Sequence, residues 1–171
     1  MKLFEYQGKE LFKRYGIAVP GNINAPFVVK AQVLSGNRME AGLIRFAHDL
    51  AEAEKFKQEL NNISEREVLI EERIAHDTEY YLSFSYDTDT RGPVLAFSDK
   101  GGTGVSGATI TPVSILEPEF PFKGEPELLS VTEKLWKLFI NEYALLAEIN
   151  PLVKNKNGEL VALDAKIILD D

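Results

Sequence analysis

The chain has 171 residues, a formal net charge of −8 and no cysteine, enough for one compact domain or two small lobes and excluding disulfides, thiolate catalysis and zinc–thiolate sites. The acidic balance argues against a nucleic-acid partner, which needs a basic face, whereas a nucleotide needs only a local basic pocket or a metal. No apolar run approaches the roughly 20 residues of a membrane span, and the opening MKLFEYQGKELF has no signal-peptide core, so no membrane partner and a cytoplasmic location are expected.

Residues 3–15 read as a helix, with Leu3, Phe4, Leu11, Phe12 and Tyr15 near helical spacing and Gly16 placed to end it. Residues 17–20 exit extended, and 21–26 form a loop. Residues 27–34 (FVVKAQVL) form a strand rich in branched side chains, with Lys30 its one charge. A lone strand lysine either snorkels to the sheet edge or contacts phosphate. Residues 35–42 (SGNRMEAG) form a loop with two glycines, and 43–47 a strand. Asp49 and Glu52 then make a capping-box pattern before a helix whose apolar stripe is Ala53, Phe56 and Leu60. Residues 67–73 and 79–87 are strands. His76, between them, reads as an exposed loop imidazole.

A turn after Asp87 leads to a strand over 93–98, then to the glycine-rich loop DKGGTGV (99–105). That loop enters a strand, 108–116. It therefore lacks the helix N-terminus of a nucleotide P-loop, and no Gly-Lys-Ser/Thr follows it. Residues 117–126 are a proline-rich connection and 128–143 a helix. Strands and helices do not alternate strictly, so an α+β fold with mixed or antiparallel sheets is expected rather than a parallel Rossmann sheet.

The final stretch is a hairpin about Asn157-Gly158, a strong turn dipeptide because both residues tolerate positive φ. Counting outward sets Asn150 against Asp164 and Glu148 against Lys166. Period-two alternation puts these four polar residues on one face, with Ile149, Val153, Val161, Leu163 and Ala165 on the other. Cross-strand pairs sit about 5 Å apart at Cβ. Pro151 interrupts the ladder, so a one-residue slip remains open. The polar face is either a solvated sheet face or a hard-cation site: Mg²⁺ takes one or two protein oxygens and completes its shell with water and phosphate.

Four segments, in order, carry a family resemblance: EYQGKELFKRYGIAVP (5–20), VVKAQV (28–33), VLIEERIAHDTEYYL (68–82), and AEINPLV with GELVALDAK (147–166). Together they resemble the β subunit of succinate–CoA ligase, whose domain also occurs in ATP-citrate lyase and ADP-forming acyl-CoA synthetases. The resemblance implies an ATP-grasp fold of two small α+β lobes: 1–20 with 75–171, and an inserted 21–74. It implies that Lys30 contacts the α and β phosphates of ATP or ADP, and that Asn37, Arg38 and Met39 cover the phosphates. Glu71 and the Ile74 backbone would meet the adenine edge and Glu79 the ribose. Asn150 and Asp164 would hold Mg²⁺, and Glu148 would face a phosphohistidine brought by a CoA-binding α-type partner subunit.

The family's phosphate loop reads roughly GGRGKAGG where this chain has SGNRMEAG. Arg38 remains, Asn37 and Met39 replace glycines, and Glu40 replaces lysine. No CoA-ligase lobe is evident. The expectation is a nucleotide-binding component of an acid–CoA ligase, forming an acyl-CoA such as succinyl-CoA with other subunits. The alternatives are a non-catalytic ATP-grasp module beside a CoA-binding partner, or a ligase joining a carboxylate to an amine.

Overall fold

The computed structural model describes residues 1–102 and 107–170; Thr103, Gly104, Val105 and Ser106 of the expected glycine-rich loop lie outside the described residues. Elements follow in the order α1 (Glu5–Arg14), β1 (Phe27–Gln32), β2 (Ile44–Ala47), α2 (Leu50–Asn61), β3 (Arg66–Glu72), β4 (Glu79–Asp87), β5 (Gly92–Ser98), β6 (Thr109–Pro112), α3 (Pro126–Asn141), β7 (Ala144–Lys154), β8 (Leu160–Ala162) and β9 (Lys166–Leu169). The fold class is the expected α+β, and every strand pairing within the two sheets is antiparallel.

The chain forms two compact units, Met1–Val19 with His76–Asp171, and Pro20–Ala75. The smaller unit is a three-stranded sheet in the order β2-β1-β3. Phe27, Val29 and Ala31 alternate to one face of β1 and meet Ala53 and Leu60 of α2 and Val68 of β3 in a small core. Asp49 caps α2 by accepting the Glu52 N–H at 2.9 Å. The reciprocal arm of the motif goes to His48, whose N–H donates to Glu52 Oε2 at 2.8 Å.

The larger unit holds a six-stranded sheet in the order β6-β5-β4-β7-β8, with β9 also paired to β7. Leu82 and Phe84 of β4 and Leu95 of β5 share a core with Leu11 and Phe12 of α1 and Leu135, Leu138 and Phe139 of α3. Strand β6 stops at Pro112, short of the expected 116. The chain then bends at Ser114, whose Oγ accepts the Glu117 N–H at 3.2 Å.

The hairpin counted from the sequence is present in its expected register. Lys154 pairs with Leu160 and Leu152 with Ala162, and Glu148 pairs with Lys166. The turn differs in type. Gly158 has φ +84° and Asn157 is not in the left-handed region. Asn155 shapes the turn instead: its Oδ1 accepts the N–H groups of Asn157 and Glu159, each at 2.9 Å. An asparagine side chain folding onto the backbone two residues on relieves Asn157 of the strained conformation.

Pro151 does alter a ladder, on the other side of β7. Tyr80 pairs with Leu152 and Leu82 with Ile149, so Asn150 and Pro151 together stand opposite Tyr81. This is a bulge, which suits a residue with no N–H to donate and re-aims the side chains beside it.

Candidate functional site

In the larger unit, β4, β7 and β9 lay a polar row across one sheet face. Ser83 stands opposite Glu148, and Glu148 opposite Lys166. Tyr81, two residues before Ser83, points to the same face. The Ser83 hydroxyl donates to the Tyr81 oxygen at 3.0 Å, and the Tyr81 hydroxyl donates to Glu148 Oε2 at 3.3 Å. Lys166 Nζ lies 3.6 Å from that same Oε2. Both contacts fall on one carboxylate oxygen of Glu148, so the side chain is oriented from that side. Burial pushes the Tyr81 phenol above its usual range; the Ser83 bond pulls it down, and the charge and bond of Glu148 push it up.

Next along β7, Asn150 makes a two-point clamp on the start of the glycine-rich loop. Its Oδ1 accepts the Gly102 N–H at 2.7 Å, and its Nδ2 donates to the Gly102 carbonyl at 3.1 Å. The loop is pressed against β4 as well, through Gly101 N–H to the Glu79 carbonyl at 2.7 Å. Gly102 has φ +90°, and a Cβ there would lie 2.5 Å from Glu79 Oε2. Glu79 Oε1 meets His76 Nε2 at 2.9 Å. His76 is thus partly buried and engaged, not the exposed imidazole expected from the sequence. Asp164 Oδ1 accepts the N–H of Ala165 at 2.8 Å. The β7–β8 and β7–β9 pairings bracket positions 150 and 164 in one continuous register, although residues 163–165 themselves lie outside the strands.

Asn150 and Asp164 fit Mg²⁺ by chemistry. Both are hard oxygen donors, and the amide oxygen of Asn150 keeps a second lone pair beyond the one given to Gly102. Among the described residues no group of three or more His, Cys, Asp or Glu could hold a metal. A cation here would therefore take one or two protein oxygens, the usual protein share for Mg²⁺.

The smaller unit carries the other candidates. Lys30 does not snorkel: it is 6% exposed and its Nζ lies 3.0 Å from Glu71 Oε2. Register explains the pair, since Lys30 faces Leu69 and Val28 faces Glu71, making Lys30 and Glu71 diagonal neighbours. Alternation sends the next residue, Glu72, to the opposite side. There its Oε1 accepts the N–H groups of Ile23 at 3.2 Å and Asn24 at 2.8 Å, bracing the loop after Pro20. Ile74 is half-buried just past β3.

The loop carrying Asn37, Arg38 and Met39 closes on itself, with Ala41 N–H to the Asn37 carbonyl at 3.0 Å and Leu43 N–H to the Arg38 carbonyl at 2.8 Å. Asn37 adopts φ +57°, a conformation asparagine tolerates better than most residues. Met39 is exposed, and Arg38 donates to the Ala31 carbonyl at 3.4 Å.

Tyr81, Ser83, Gly102 and His76 were not legible as site residues. Gly101-Gly102 was visible as a pair; the amide that grips it lies 48 residues away.

The chain is similar to known proteins along its whole length. The chain is 33% identical over 210 aligned positions to the β subunit of the ADP-forming succinate–CoA ligase of Methanocaldococcus jannaschii, covering all of this chain and 58% of that protein. It is 34% identical to the corresponding subunit of Aquifex aeolicus, again over its whole length and 56% of the relative. It thus spans little more than half the length of these curated relatives. The alignments are longer than the chain, so the relatives carry segments within the matched region that this chain lacks.

Several solved structures share the fold, and two illustrate it. One is ATP citrate lyase from Methanothrix soehngenii in complex with citrate and coenzyme A, with a TM-score of 0.73, 24% identity, and coverage of 99% of this chain and 51% of that one. The other is the dinucleotide-forming acetyl-coenzyme A synthetase 1 of Ca. Korarchaeum cryptofilum in complex with coenzyme A, Ca-AMPCP and HgCl⁺, with a TM-score of 0.76, 18% identity, and coverage of 99% and 93%. Residues 22–117 match the model of the ATP-grasp domain, and the chain belongs to the ATP-grasp family.

Proposed function

We propose that this chain is the nucleotide-binding component of an acid–CoA ligase, binding Mg-ATP or Mg-ADP and exchanging phosphate with a histidine on a CoA-binding partner subunit. The observation that carries the reading is the polar row of β7 and its neighbours. An oriented carboxylate, Glu148, stands two residues from Asn150 on a hairpin that also bears Asp164, in a chain similar over its whole length to succinate–CoA ligase β subunits.

In this reading Lys30 contacts the α and β phosphates. Its ammonium is held by Glu71, which fixes the charge in place on the strand for phosphate. Arg38 adds a second cation in the loop with Asn37 and Met39. Glu71 and the Ile74 backbone serve the adenine edge. Glu79, steadied by His76, meets the ribose. Asn150 and Asp164 hold Mg²⁺, which when bound would neutralise phosphate charge. Glu148, fixed through Oε2, accepts a hydrogen bond from the partner's imidazole and so orients it for in-line transfer. Phosphoryl transfer rests mainly on such positioning and electrostatics.

Calorimetry on the folded chain tests this. Mg-ADP should release or absorb binding heat, and the Asp164→Ala variant should weaken the complex. No binding at millimolar nucleotide would remove the catalytic reading.

One observation favours a second reading, a non-catalytic module paired with a CoA-binding protein. The loop at 35–42 presents Asn37 and Met39 side chains and the Glu40 carboxylate where a phosphate cradle needs bare backbone. In that case Asp164→Ala leaves partner binding intact, and nucleotide binding never appears.

A further inference from the structure

Helix α1 carries two buried charges that the proposed chemistry does not use. Glu5 and Lys9 lie one turn apart, their side chains 2% and 3% exposed, and their Oε1 and Nζ atoms are 2.8 Å apart. A buried pair of this kind is often no more stabilising than apolar residues of the same size, so burial alone does not account for it. The pair also does what apolar residues could not: Lys9 Nζ donates to the carbonyl of Leu163 at 2.8 Å.

Leu163 is the residue before Asp164. It sits where the hairpin arm leaves β8 and has not yet entered β9, so its carbonyl is not engaged in either strand. Its N–H is held at 3.0 Å by the carbonyl of Pro151, the neighbour of Asn150. Its carbonyl is held by Lys9. On the far side of Asp164, Ala165 is buried directly under Gly8, where a Cβ would come within 2.9 Å of the Ala165 Cβ. The glycine lets the helix down onto the arm. One helical turn, Glu5 to Lys9, thus fixes the residues on both sides of Asp164.

We infer that the Glu5–Lys9 pair is a positioning device for Asp164: Glu5 holds the Lys9 ammonium, and Lys9 grips the Leu163 carbonyl so that the carboxylate is presented in one orientation. The inference rests on the reading of Asp164 as a metal ligand, and its test separates the two. The variants are Lys9→Met and the double variant Glu5→Met/Lys9→Met. The double variant removes both charges of the pair together and keeps the test alive if the single variant fails to fold.

Two quantities are measured on the full chain. The first is hydrogen exchange at the Ala165 amide, which bonds Asp164 Oδ1 and so reports the local geometry. The second is Mn²⁺ affinity by electron paramagnetic resonance, in the presence and absence of ADP. In the double variant the Ala165 amide should exchange at least tenfold faster while β4 and β5 amides keep their protection, and Mn²⁺ should bind at least tenfold more weakly. Unchanged protection at Ala165, or a uniform rise across the sheet, would overturn the proposal by showing a general packing role. So would undiminished Mn²⁺ affinity in the double variant when Asp164→Ala loses it. If Asp164→Ala does not weaken Mn²⁺ in the wild-type background, the metal reading fails, and Ala165 exchange alone decides whether Lys9 orients the arm.

Discussion

Gly102 holds a backbone conformation that a side chain would strain. Its φ of +90° is one that L side chains rarely adopt, a Cβ there would force Glu79 Oε2 to move from 2.5 Å away, and the Asn150 clamp resists a change of backbone. Gly102→Ala should cost roughly 1–3 kcal/mol, the usual scale of a forced left-handed conformation, read by chemical denaturation. A variant as stable as the wild type would show that the clamp yields freely. Lys30 and Glu71 make the opposite kind of site, a buried ion pair. Lys30→Met takes the ammonium away from the buried Glu71 carboxylate and should cost about 3–5 kcal/mol, whereas Lys30→Met/Glu71→Met should recover most of that loss. Denaturant midpoints of the two variants check this. If the double variant is no more stable than the single, the pair is not the source of the cost.

Among the elements, the β4–β5 hairpin contains its own pH dependence. Asp87 closes the turn, its Oδ2 accepting the Thr90 N–H at 2.8 Å, and that backbone bond holds its carboxyl below the usual value. A carboxyl lowered by folding contributes stability that is present above its unfolded value and lost as pH falls through the folded one. The stability gap between wild type and Asp87→Asn should therefore be full near neutrality and close below about pH 4. Denaturation at a series of pH values measures it; a gap that widens in acid would contradict the turn's role. Tyr81 runs the other way. Its phenol is raised mainly by burial, with Glu148 adding to the rise, so Glu148→Gln should move its titration down in pH. The absorbance difference between Tyr81-containing and Tyr81→Phe proteins near 295 nm isolates that one phenol.

The molecule as a whole has two cores, one for each compact unit. The smaller rests on few side chains, and Leu60, 2% exposed, ends the apolar stripe of α2. Leu60→Ala should cost roughly 2–5 kcal/mol by leaving a cavity. The loss should appear first as faster hydrogen exchange in residues 20–75, with β4, β5 and β7 still protected, because local opening follows the cooperative unit that holds the mutation. Simultaneous loss of protection throughout would mean that the units unfold as one. No helix among the described residues is long and apolar enough to cross a membrane.

Taken alone, the sequence determined the order and type of most elements, an α+β class with mixed or antiparallel sheets, and the counted register that sets Glu148 against Lys166, while the second hairpin arm, read as one strand, divides into β8 and β9. These follow from periodicity and from counting about a turn, both of which are local. It also placed Lys30, Glu71 and Asn150 on particular strands, whereas Asp164, expected within the second hairpin arm, lies between β8 and β9. It could not say that Lys30 meets Glu71, that Asn150 grips Gly102, that His76 engages Glu79 or that Tyr81 reaches Glu148. Nor could it show why Gly8 interrupts a good helix pattern, since the residue it makes room for is Ala165. Only the tertiary structure decided these, because period-two alternation names a face but not a diagonal neighbour. Lys9 and Leu163 are 154 positions apart, and nothing in either stretch encodes the other except the fold that brings them together.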